Sequence, residues 1–171
     1  MMYNSVFVAL IGVLLFGYVL ERVLDTLNLK HILPTLPPEL SGIYDQEEYA
    51  KSQLYKRDNT RFSYFTSTAS LIVMLLMFFF GGFGWLDRLV DGFTGSYIIH
   101  VLLFFGLLAL AGDILTTPFA VYNTFVLEER YGFNRTTTRT FILDKIKGWI
   151  LGALIGGGLL ALITWIYMLT C

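Results

Sequence analysis

Few side chains in this sequence are of types that do chemistry, and their spacing decides most of what they can do. His31 and His100 are its two histidines, and they stand far apart. A helix-borne catalytic zinc needs two imidazoles one turn apart with a glutamate between them to activate water, the H-E-x-x-H pattern, and neither histidine begins one. No nucleophile motif, phosphate-binding glycine loop or cluster of metal-ligand residues is visible. Cys171 is the single cysteine, so no internal disulfide framework exists; as the last residue it is not a prenylation box either, which needs three residues after the cysteine. The polar residues that remain are Asp113, set in an apolar run, and a dense group from Pro118 to Thr138, PFAVYNTFVLEERYGFNRTTT.

In that group Phe119, Tyr122, Phe125 or Val126, and Glu129 recur at helical spacing on one face. Gly132 stands where a left-handed C-terminal cap is wanted, with Phe133 placed to fold back on Leu127. Asn134 or one of Thr136 to Thr138 then caps the next helix. Acids near a helix C-terminus oppose the macrodipole, so Glu128 and Glu129 call for partners. Arg130, Arg135, Arg139 and a separate domain are the options, and a plain solvated helix end is the alternative.

The elements that carry these residues follow from composition. More than half of the 171 residues are apolar (56%) and only 15% are charged, as in a membrane chain. No basic stripe with interleaved aromatics points to nucleic acid. Four runs are long enough to cross a hydrocarbon core of roughly 30 Å as helices: about 1–20, 62–86, 92–122 and 149–171. The first has no basic flank before it and no small-residue cleavage site after it, so it reads as an uncleaved span. Pro34, Pro37 and Pro38 predict an extended linker. Asp45 with Glu48 predicts a helix start, continuing to about Tyr55 as an interfacial connector. Ser63, Thr66, Ser67, Thr68 and Ser70 either pack against a neighbour or line water. Gly148, Gly152 and Gly156 permit close helix approach.

Loops 21–61 and 128–147 hold six and five of the twelve Lys and Arg, and the 87–91 connection holds only Arg88. The positive-inside rule then makes both basic loops cytoplasmic and places the termini outside. The sequon Asn134-Arg135-Thr136 would stay bare on that side. Asp113 at bilayer depth costs about 2.5–3.5 kcal/mol on insertion scales, so it needs a partner, water or the span end, or else it lines a water-filled chamber. His100 reads as an interhelical hydrogen-bonding residue.

The string YNTFVLEERYGFN, Tyr122 to Asn134, resembles the signature in the N-terminal membrane region of CAAX prenyl protease 1-like (Ste-type) zinc metallopeptidases. LPPELSGIYDQEEYAKSQLYKRDNTRFSYF resembles the segment after that family's first span, and RTFILDKIKGWILGAL the start of its fourth. The resemblance covers almost the whole chain. It implies an all-α polytopic membrane domain of four helices, part of a larger helical chamber that admits peptide, in the classical case prenylated, to a zinc site. Tyr122, Asn123, Glu128, Glu129, Arg130, Gly132, Phe133 and Asn134 become motif residues for docking or the chamber wall. The zinc and the catalytic part would lie beyond residue 171, after a fifth span. This chain itself is expected to bind no metal and to be a piece of a longer protein whose partners are the lipid bilayer, its own catalytic part and a peptide substrate. The rival from composition alone is a non-enzymatic four-span scaffold or a small transporter.

Overall fold

The computed structural model describes residues 4–33, 35–36 and 45–170, and among these the chain is helical with no strand. The elements are α1 (Ser5–Lys30), α2 (Gln46–Phe79), α3 (Gly82–Asp91), α4 (Tyr97–Tyr122), a π-helical turn Asn123–Glu128, α5 (Thr138–Leu151), a second π-helical stretch Gly152–Gly156, and α6 (Gly157–Thr170). Four continuous helical rods have membrane-crossing length and hydropathy: Ser5–Lys30, Gln46–Phe79, Tyr97–Glu128 and Thr138–Thr170, of 26, 34, 32 and 33 residues. Each exceeds the ~20 residues needed to cross a bilayer, so each extends beyond the apolar layer or tilts within it.

The local signals explain the starts and stops. Asn4 accepts from the Phe7 N–H at 2.9 Å to open α1, and His31 Nδ1 lies 2.8 Å from the Leu27 carbonyl at its end. The Asp45 carboxylate accepts from the N–H groups of Glu47 and Glu48 at 2.8 and 3.1 Å, the predicted start of α2. That helix does not stop near Tyr55 but runs on to Phe79, so connector and span are one rod. Gly81, with φ 70°, turns the chain after Phe79 and opens α3. The predicted linker prolines Pro34, Pro37 and Pro38, and Cys171, lie outside the described residues.

The chain folds as two compact units. The first comprises α1, α2 as far as Leu76, and Val121–Asn134. Its helices meet through aromatic and hydroxyl groups rather than aliphatic packing alone. The Tyr18 and Thr68 hydroxyls are 2.7 Å apart, and those of Thr26 and Tyr64 are 3.2 Å apart. The Arg22 guanidinium lies 4.3 Å from the centre of the Tyr64 ring and 5.3 Å from that of Tyr18, a cation–π arrangement. The hydroxyls of Ser63, Thr66, Ser67, Thr68 and Ser70 donate to carbonyls one turn earlier in α2, so the polar run satisfies itself on its own helix.

The second unit comprises Met77–Ala120 with residues from Arg135 onward. Leu86, Val90 and Thr164 are its buried side chains among the described residues. A side chain added at Gly148, Gly152 or Gly156 would meet no neighbour within 4 Å. The small-residue row therefore makes no close helix contact among the described residues.

Candidate functional site

Tyr122 to Asn134 forms the polar end of α4 in the first unit. Pro118 lies inside α4 and has no N–H to give to the Ile114 carbonyl. Five residues on, the helix widens into the π-helical turn Asn123–Glu128, a geometry common at functional sites. The helix then closes at Gly132, whose φ is 68°. The Phe133 N–H donates to the Glu128 carbonyl at 2.9 Å and the Gly132 N–H to the Glu129 carbonyl at 3.0 Å. Those two bonds make the predicted cap a Schellman motif. Thr137 resolves the choice of cap for the following helix: its hydroxyl accepts from the Thr140 N–H at 3.2 Å.

Both acids of the motif find amides of the same turn. Asn123 Nδ2 donates to Glu128 at 3.4 Å, and Asn134 Nδ2 donates to Glu129 at 2.9 Å. The described ion pairs give Arg130 to Asp58 of α2, at 4.0 Å, and not to the acids beside it. Asn123 Oδ1 is enclosed with no hydrogen-bond partner among the described residues.

Four α2 residues that sequence reasoning did not connect with the motif anchor it. The Tyr131 hydroxyl donates to Asp58 at 2.6 Å. Tyr55 sets its ring 5.1 Å from Phe133 and 5.7 Å from Tyr131, and Lys51 stands 5.7 Å from the Phe133 ring centre. Phe62 packs on Tyr122 at 4.8 Å. Their signal was present in the spacing: Lys51, Tyr55, Asp58 and Phe62 recur every three or four residues, one stripe of a helix. The hydrogen bond to Asp58 raises the Tyr131 pKa above its ordinary 10.0, with burial and the Asp58 charge adding to it. Leu127 is buried, while Tyr122, Val126 and Phe133 each remain about two-fifths exposed. The α2 stripe thus covers the motif only in part.

The other two polar positions lie in the second unit and have separate partners. His100 sits in the first turn of α4, with Nε2 2.9 Å from Asp87 and Nδ1 3.8 Å from Asp91, both on α3. Asp113 takes the Lys145 ammonium at 2.5 Å on one carboxylate oxygen and the Trp149 indole N–H at 3.0 Å on the other. Lys145 and Trp149 are one turn apart on the α5 face that meets α4. The Asp113 carbonyl also accepts from the Thr117 hydroxyl at 2.6 Å, just before Pro118. Among the described residues no three His, Cys, Asp or Glu side chains converge as a metal would require.

Residues 26–170 match the family model described as CAAX prenyl protease N-terminal, five membrane helices. The CAAX prenyl protease 1 homolog of Arabidopsis thaliana is 32% identical over 164 residues, covering 91% of this chain and 39% of that protein. The homolog of Homo sapiens is 40% identical over 122 residues, covering 67% of this chain and 26% of its own length. The crystal structure of S. mikatae Ste24p superposes with a TM-score of 0.77 at 30% identity, over 87% of this chain and 36% of that one. The chain thus spans well under half the length of these relatives.

Proposed function

The chain belongs to the CAAX prenyl protease N-terminal family, and on that premise we propose that its four spans form part of the wall of an intramembrane chamber. That chamber admits peptide, prenylated in the classical case, to a zinc-dependent catalytic part carried outside this sequence. The spans supply a wall and an orientation; the Tyr122–Asn134 turn supplies the surface on which the catalytic part docks. The observation that carries this reading is the turn itself: Glu-Glu-Arg-Tyr-Gly-Phe-Asn folds into a capped end pinned by Tyr55 and Asp58, and Tyr122, Val126 and Phe133 each stay about two-fifths exposed. Part-exposed aromatic and apolar groups on a capped, amide-buttressed turn suit a protein interface better than a solvated helix end.

In this reading loops 21–61 and 128–147 face the cytoplasm, on the charge count above. Two experiments test the proposal. Cysteines at Ser52 and Ser96 are expected to react with an impermeant thiol reagent from opposite sides, and reaction from the same side refutes the topology. The coding sequence beyond Cys171 is expected to encode a helix with H-E-x-x-H. A reading frame that closes without one leaves the non-enzymatic scaffold or transporter.

A further inference from the structure

The ten residues of α3 join two membrane-crossing rods, yet they cannot themselves cross. At 1.5 Å per residue α3 is about 15 Å long, half of a ~30 Å hydrocarbon core. Its sequence is two-faced. Trp85, Leu86, Leu89 and Val90 fall on one half of the helix, and Asp87, Arg88 and Asp91 on the other. Only part of the apolar half is covered by the chain. Leu86 and Val90 are buried, whereas Trp85 is 60% exposed and Leu89 39%. Phe80 and Phe93, the residues flanking the helix, are exposed as well, at 81% and 75%.

The depth of α3 is constrained from both ends. The apolar half of α2 finishes at Phe79, three residues before it, and α4 begins at Tyr97, six residues after it. Both rods have membrane-crossing length, so α3 lies within about a turn or two of where each leaves the apolar layer. Its roll is constrained too. His100, on α4, contacts Asp87 and Asp91, one turn apart on the α3 polar half. Aromatic side chains flanked by charge are what the head-group boundary favours.

We propose that α3 is an in-plane lipid anchor, lying at the boundary of phospholipid head groups and acyl chains. The Trp85–Leu89 flank enters the acyl side, Arg88 and the two aspartates stay in water, and His100 holds that roll. The proposal is independent of the protease reading.

The test uses the full chain with Cys171→Ser, spin-labelled at a single cysteine in place of Leu89 or of Arg88, in phosphatidylcholine vesicles. The Leu89 label is expected to be several-fold more accessible to oxygen than to a water-soluble nickel chelate, with the preference reversed at Arg88. Nickel access at both sites, an α3 lying in water, overturns the proposal. Protection from both reagents at both sites, a second copy or another protein covering α3, overturns it too. Equal deep immersion of both labels means that α3 continues the span and is a further refutation. Adding His100→Ala is expected to collapse the difference between the sites, and an undiminished difference removes the clamp. Where a labelled variant fails to insert, the difference in tryptophan emission between the unmodified chain and Trp85→Phe reads the same depth. Lipids brominated near the glycerol end are expected to quench that component, and emission at the aqueous maximum without quenching refutes the anchor.

Discussion

Removing the lysine from the Asp113 clamp is expected to cost more than removing the aspartate. Asp113 and Lys145 keep 30% and 24% side-chain exposure, so the pair is mostly enclosed. In Lys145→Met the carboxylate loses its cation and retains the Trp149 N–H. An Asp left without its cation at mid-bilayer would cost about 2.5–3.5 kcal/mol, and the indole bond and residual exposure reduce that to about 1.5–3 kcal/mol. Asp113→Asn leaves the opposite situation. The Lys145 ammonium rides on four methylenes, lies in the first third of the Thr138–Thr170 rod, and reaches the interface by snorkelling. An amide at 113 still accepts from Trp149, so the loss is about 0.5–1.5 kcal/mol, the range measured for polar pairs between membrane helices.

The double variant is then expected to be more stable than Lys145→Met alone, because it no longer holds an orphaned carboxylate. Unfolding of all four chains in mixed micelles, titrated with a denaturing detergent, gives the cycle. A Lys145→Met loss below about 0.5 kcal/mol, or a double variant equal to the sum of the singles, would refute the reasoning.

Gly132→Val is expected to destabilise the first unit by about 1–2 kcal/mol, because a β-branched residue resists the left-handed backbone and its Cβ would sit 3.3 Å from the Lys51 ammonium. Gly132→Asn is expected to be better tolerated in the same thermal melt. Glu129→Gln keeps an acceptor for Asn134, so melting of this chain is expected to shift little; in a full-length protein the docking proposal expects Glu128→Gln and Glu129→Gln to lower proteolysis, and full activity in both refutes it. Tyr131 is expected to ionise above 10 by ultraviolet titration and to fall back toward 10 in Asp58→Asn. Its folded pKa is the raised one, so its contribution to stability is complete below the ordinary tyrosine value and is lost as pH climbs through the folded value.

What the amino-acid order determined by itself is whatever acts over one or two turns of chain. Long apolar runs dictate membrane-crossing helices, because an unpaired backbone group has no partner in lipid. Gly132, Asp45 and the Thr136–Thr138 group mark caps, because cap geometry is set by the backbone stereochemistry and the side-chain reach of three or four residues. The need of Asp113 for a partner was equally legible, since the cost of a carboxylate at depth is a property of the residue. Which partner answers was not. Lys145 and Trp149 lie 32 and 36 residues away, and Asp58 lies 73 from Tyr131. Such pairs depend on the rotation of one helix about its axis against another, and a single residue of phase turns a side chain by 100°. The same holds for the acids of the motif: sequence proximity offered them arginines, and the widened π turn and the tight cap brought Asn123 and Asn134 to them instead. The bend at Gly81 that detaches α3 from the second rod was also a tertiary decision. A glycine between apolar neighbours permits a left-handed turn without requiring one, and burial of Leu86 and Val90 selects it.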